Sequence, residues 1–176
     1  MKIKYFCLFL ILLFSEISGM SQINRQILDL NLGTTTQSVA ENTLKKLGYN
    51  FTPTSFSDIL QCKNVSFGGY NWNICKLVFS KNKFSEIYLH KDFTDIKMAS
   101  AVFENIRNML MTKYKGKTSV LEDKFSEYGD SYEITDNNVM ISLLCTKIEG
   151  VVISINLNYI YLPLRMNDKN SGYKDY

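Results

Sequence analysis

The sequence has little of what most enzymes and metal proteins are built around. It contains one histidine, His90, one tryptophan, Trp72, and four cysteines. A histidine-rich metal centre is therefore excluded, and a zinc site, which takes four Cys, His or carboxylate ligands, has a thin supply. No G-x-S-x-G, H-E-x-x-H, P-loop or Rossmann fingerprint occurs, so neither the nucleophile elbow nor the phosphate-cradling loops are signalled. A charge excess is missing as well. The 20 basic and 17 acidic residues are scattered rather than blocked, and they point to no nucleic-acid or anionic-membrane partner. Only two prolines stand against 11 Phe and 11 Tyr, which is not the composition of a disordered chain.

Long apolar runs are absent too. Tyr5 to Phe14 (YFCLFLILLF) covers ten residues, half of the roughly 20 that a transmembrane helix needs. Lys2 and Lys4 precede it and a small, polar stretch from Ser15 to Ser21 follows, the layout of a secretory signal peptide. Cleavage is expected after Gly19 or Ser21. Cys7 lacks the small residues that precede an acylated cysteine, so there is no lipobox, and the expected location is periplasmic or secreted. The organisation expected is a signal peptide over 1–21, a single α+β domain over 22–164 and a flexible polar tail over 165–176. Removing Lys2, Lys4 and Glu16 leaves 18 basic and 16 acidic residues. A mature chain of about 155 residues suits one domain that buries roughly two thirds of its unfolded surface.

What is there is periodicity. Ser38-Val39-Ala40-Glu41 has capping-box spacing, Val39, Leu44 and Leu47 share a face, and Gly48 offers a left-handed stop; a short helix is expected. A longer one should follow Asp92 or Thr94. There Ile96, Ala99, Val102, Phe103, Ile106, Met109, Leu110 and Tyr114 recur at three- and four-residue steps, before Lys115-Gly116. Val151 to Tyr161 (VVISINLNYIY) alternates apolar and polar residues, the period of a strand wet on one face. Val139 to Cys145 alternates likewise and should pair with it across a Lys147–Gly150 turn. Weaker strand patterns cover Ser119 to Phe125 and Ser131 to Thr135. The fold class expected is α+β, two helices packed on one face of antiparallel sheet, which the order of elements would also let divide into two tandem helix-plus-strands units.

The stretch Gln61 to Cys75 (QCKNVSFGGYNWNIC) carries the densest information. A two-residue turn at Gly68-Gly69, where glycine supplies positive φ without steric cost, places Phe67 opposite Tyr70, Val65 opposite Trp72 and Cys62 opposite Cys75. Leu60 then faces Leu77 beside the cysteines, so hydrophobic pattern and turn agree on one register. In an exported chain a Cys62–Cys75 disulfide is the leading reading; closing a loop of about 14 residues stabilises by roughly 3 kcal/mol, less strain. Free buried thiols and a Cys75–Cys145 bridge are the other readings. A redox pair lacks the close spacing that depresses a thiol pKa.

Catalytic candidates are sparse. His90 ends the strand-like run Phe84 to His90, and the acidic pairs Glu122-Asp123 and Asp92/Asp95 have no partner pattern beyond proximity. No catalytic residue, metal ligand or cofactor is assigned.

Leu32 to Phe51 (LGTTTQSVAENTLKKLGYNF), a polar turn feeding a short helix that ends in Leu-Gly-Tyr, resembles the opening of small envelope proteins with the beta-lactamase-inhibitor-protein-like fold, including outer-membrane assembly lipoproteins of the BamE/SmpA type. The segment FGGYNWNICKLVFSKNKFSEIYLHKDF and the helix ending MTKYKGKTSVLED are similar to secreted proteins of Bacteroides-type bacteria, with Lys115-Gly116-Lys117 in place of a glycine-proline exit. The resemblance implies a helix-on-antiparallel-sheet module used for binding, and carries over no functional residue. The function expected is therefore a non-catalytic binding or interaction module of the bacterial envelope. Its partner would be another envelope or secreted protein, and its candidate surface Tyr70, Trp72 and Tyr88. The alternative is a periplasmic hydrolase acting through carboxylates or His90.

Overall fold

The structure, a computed structural model, describes residues 23–148 and 151–165. The expected signal peptide and its cleavage positions, Glu149-Gly150 of the expected turn and the expected tail beyond Arg165 lie outside the described residues. Along the chain come β1 (Gln26–Ile27), β2 (Leu30–Asn31), α1 (Gln37–Lys46), β3 (Phe51–Thr52), β4 (Ile59–Phe67), β5 (Tyr70–Ser80) and β6 (Lys83–Phe93). After them follow α2 (Ile96–Tyr114), β7 (Ser119–Lys124), β8 (Gly129–Thr135), β9 (Val139–Ile148), β10 (Val151–Tyr161) and α3 (Leu162–Arg165).

Strands β3 to β10 form one antiparallel sheet in the order β3-β4-β5-β6-β10-β9-β8-β7. The chain meanders from β3 to β6, crosses through α2 to the far edge at β7, and meanders back until β10 lies beside β6 at the centre. Apolar positions follow the pleat across this seam: Leu157 of β10 faces Leu89 of β6 on one side and Leu143 of β9 on the other, and all three are buried. The expected class, two helices on one face of an antiparallel sheet with two tandem units, is corrected by this architecture. Among the described residues an eight-stranded sheet is the body of the protein, with three helices of 4 to 19 residues beside it. The reading from sequence fell short because β5 and β6 each run 11 residues, longer than their clean alternation, and because α1 contributes little cover.

That small contribution has a local cause. The Ser38/Glu41 capping box does not form: Thr36 is the N-cap without a side-chain bond, and Glu41 pairs instead with Lys45 at 2.6 Å. Only Ala40 and Leu44 are buried on α1, while Val39 and Leu47 are exposed. Gly48 takes the left-handed φ of +84° that the helix stop needs. Helix α2 is the real cover. Asp95 caps it, accepting a bond from the Lys97 amide at 2.7 Å, and Ala99, Phe103, Ile106, Leu110 and Tyr114 form its buried stripe against β6, β9 and β10.

The N-terminal strap was not legible as structure. Ile23, Ile27, Leu30 and Leu32 are each 1 to 2% exposed, held by the β1–β2 ribbon and by bonds such as Gly33 N–H to the Phe84 carbonyl at 2.7 Å. Its turn residues Leu28 and Asp29 take positive φ, so no glycine or asparagine announced a hairpin there.

Candidate functional site

The Gln61–Cys75 hairpin has the expected register: Leu60 faces Leu77, Cys62 faces Cys75, Val65 faces Trp72 and Phe67 faces Tyr70. The two cysteines sit side by side as fully buried free thiols. Burial pushes the Cys62 thiol up to about 11 and raises Cys75 further, with Cys62 itself adding to the effect. A thiol held protonated is a poor nucleophile. Cys145, also buried with a raised pKa, lies on β9, and both β6 and β10 stand between it and β5. Three strand spacings place Cys75 and Cys145 at least about 14 Å apart, far beyond disulfide reach. The competing bridge is thereby removed.

Beyond the cysteines the pairing is interrupted at Asn64 and Asn73, and Asn64 takes φ +55°, a left-handed conformation that asparagine tolerates. Strict alternation from Cys62 and Cys75 would send Val65 and Trp72 to the open face of the sheet. Across the interruption they turn to the covered side instead, and both are buried. β5 also leaves β6 here: its backbone pairing starts at Ile74 opposite His90. Side chains take over, Asn73 accepting from the Asp92 amide at 2.9 Å and Lys91 donating to the Asn71 carbonyl at 2.8 Å.

The twisted tip closes over the sheet and makes a recess of about 180 Å³ against α2. Phe67, Gly68, Tyr70 and Trp72 form one wall, the α2 side chains Ile106, Met109, Leu110 and Lys113 another, and Leu157 and Tyr159 of β10 the floor. Trp72, 1% exposed, donates its indole N–H to the Phe67 carbonyl at 3.0 Å and meets Tyr70 edge-on with ring centres 6.4 Å apart. Phe67 packs edge-on against Tyr159 at 5.9 Å. Burial raises the pKa of the Tyr159 phenol well above its ordinary value, so the group stays a hydrogen-bond donor. The turn itself, Ser66 to Asn71, encloses a wider hollow of about 360 Å³, but no second element walls it.

Tyr88 is on the other side of the sheet. Of the three candidate surface residues, the structure brings Tyr70 and Trp72 together and leaves Tyr88 apart. There its hydroxyl donates to Asn156 Oδ1 at 2.6 Å, its ring stacks on His90, and Lys76 Nζ lies over it at 5.7 Å. His90 is fully engaged: Nδ1 is 2.7 Å from Asn156 Oδ1 and Nε2 is 2.8 Å from Asp92 Oδ1. Both ring nitrogens thus lie within hydrogen-bond distance of protein oxygens. The acidic pairs have structural partners too. Asp95 caps α2, Glu122 bonds Ser131 and Lys124, and Asp123 receives the fork of Arg107, with Nε at 3.0 Å. Arg107 lies over the rings of Phe125 and Tyr132, tying α2 to the edge strands.

Lys113, Tyr159 and the α2 residues of the recess were read from sequence only as helix end and core. The 106–110–113 spacing does put them on one helix face, but nothing local shows that a hairpin closes over that face. Among the described residues no group of three or more His, Cys, Asp or Glu could hold a metal ion, and no helix is long and apolar enough to cross a membrane. The class this architecture defines is an eight-stranded antiparallel sheet with an aromatic recess beneath a hairpin tip. No family model, curated protein or solved structure matches the chain.

Proposed function

We propose that the chain is an exported, non-catalytic binding module that receives an apolar group of its ligand in the recess between the β4–β5 tip and α2. The observation that supports this reading is the recess itself, its largely apolar walls contributed by the hairpin tip, α2 and β10, elements distant in sequence. Concave apolar sites with a few polar groups at the rim are the usual form of ligand sites. A cavity of about 150 Å³ accepts one benzene, so about 180 Å³ suits a group of about six carbons. The hydrolase reading is disfavoured by the occupied nitrogens of His90 and the structural employment of the acidic pairs.

Trp72 is the only tryptophan, so its emission reports occupancy of the recess directly. Titration of the mature chain with hexanol is expected to change that emission saturably. Met109→Phe fills the recess from a position 43% exposed and should abolish the change without loss of thermal stability. A linear, unsaturable response that Met109→Phe leaves intact defeats the proposal.

A further inference from the structure

We infer that the ligand of this recess is a small carboxylate with an apolar body of about six carbons, its charged end held between the Lys113 ammonium and the Tyr159 hydroxyl. The inference rests on the recess being the ligand site and adds the chemistry of what enters it.

Besides the indole of Trp72, which is already bonded, three side chains with polar ends line an otherwise apolar space: Tyr70, Lys113 and Tyr159. Lys113 stands in the last turn of α2, its ammonium 5.3 Å from the centre of the Tyr114 ring. Among the described residues no carboxylate pairs with it. Tyr159 is 6% exposed and lies on the recess floor, and among the described residues its hydroxyl has no hydrogen-bond partner. The hydroxyl is not one of the fully enclosed unpaired atoms, so it can donate to an acceptor that enters the recess that Tyr159 lines. Raised by burial, that phenol does not ionise and so does not repel an anion.

The inventory selects the charge. One ammonium, with phenol hydroxyls as neutral donors, matches the single charge and two oxygens of a carboxylate, and charge-assisted bonds of this kind are the stronger ones. A phosphate dianion would bring a second charge with no second cation among the lining residues. No acidic side chain lines the recess to repel the ligand or to favour an amine in its place. The apolar wall then supplies most of the affinity and the lysine-tyrosine end the orientation, the division of labour general to such sites.

The test uses Trp72 emission on the mature chain with three probes: hexanoate, hexanol and hexyl phosphate. Hexanoate is expected to bind about tenfold more tightly than hexanol, the size of one charge-assisted bond, with hexyl phosphate no tighter than hexanoate. Lys113→Met and Tyr159→Phe should each remove most of that advantage, so that on either variant hexanoate binds little more tightly than hexanol. Lys113 is exposed, so its variant keeps the fold, and Tyr159→Phe keeps the ring that packs on Phe67. Equal binding of acid and alcohol, or indifference of hexanoate to Lys113→Met, overturns the carboxylate assignment and leaves the recess standing. Tighter binding of hexyl phosphate also overturns it. If no probe changes Trp72 emission saturably, the recess reading falls, and this inference falls with it.

Discussion

Replacing Trp72 by alanine separates its structural weight from its role as a recess wall. The side chain is 1% exposed, and truncating a buried aromatic to alanine costs about 3–5 kcal/mol. Its indole bond to the Phe67 carbonyl adds little, since such a bond contributes roughly 0.5–1.5 kcal/mol net and the freed carbonyl adjoins an open recess where water can reach it. Water entry also limits the cavity penalty, which places the expected loss near the lower end, about 3 kcal/mol. At roughly 3–4 °C per kcal/mol for a domain of this size, the melting temperature should fall by about 10 °C. Trp72→Phe keeps most of the buried area and should lose only about 3 °C. Thermal denaturation followed by far-ultraviolet circular dichroism reads both. A fall of less than about 3 °C in Trp72→Ala would show that the tip does not close on α2 as described, and the recess would lose its wall.

Three further expectations follow from particular residues. Cys62 and Cys75 are free thiols in the structure but directly opposed, so after exposure to oxidant intact-mass measurement without reductant should show the loss of two hydrogens, with peptide mapping placing the bridge at Cys62–Cys75; a bridge containing Cys145 would contradict the sheet order. Burial holds the Glu86 carboxyl above its ordinary pKa, with Arg165 pulling the other way. A raised folded-state value means the native chain holds that proton more tightly than the unfolded one. The penalty is therefore absent below the unfolded value and develops as pH rises through the folded one. Glu86→Gln should accordingly raise the melting temperature near pH 8 and leave it unchanged near pH 4, and a less stable variant near pH 8 contradicts the sign. Finally, Asn64→Val forces a β-branched residue into left-handed φ at a cost of about 1–3 kcal/mol, whereas Asn64→Gly should be neutral or better; equal melting temperatures for the two would deny the turnover of the hairpin at that residue.

Much of the local structure could be read from the chain. The alternation in Val151–Tyr161, the stripe of α2 and the register around Gly68-Gly69 all follow from periodicities that a half-buried surface imposes on its own segment. Even there one residue misled: positive φ at Asn64 reverses which side Trp72 faces, and asparagine adopts that conformation too irregularly to be read as a rule. Tyr70, Trp72 and Tyr88 therefore looked like one surface and are two. The strap through Ile23 and Leu32 went unseen because its burial depends on a partner, β6 and the neighbouring core, far along the chain.

By itself the sequence determined the alternating faces of β10, the extent of α2 and the register that sets Cys62 opposite Cys75, because each depends on residues a turn or a pleat apart. Only the tertiary structure decided that β10 inserts beside β6, which separates Cys75 from Cys145 by two strands, and that the hairpin tip meets α2. Both depend on strand order and on how one element closes over another. Lys113 and Tyr159 lie 46 residues apart and share the recess because the sheet brings β10 beneath the helix, a juxtaposition that no local pattern encodes.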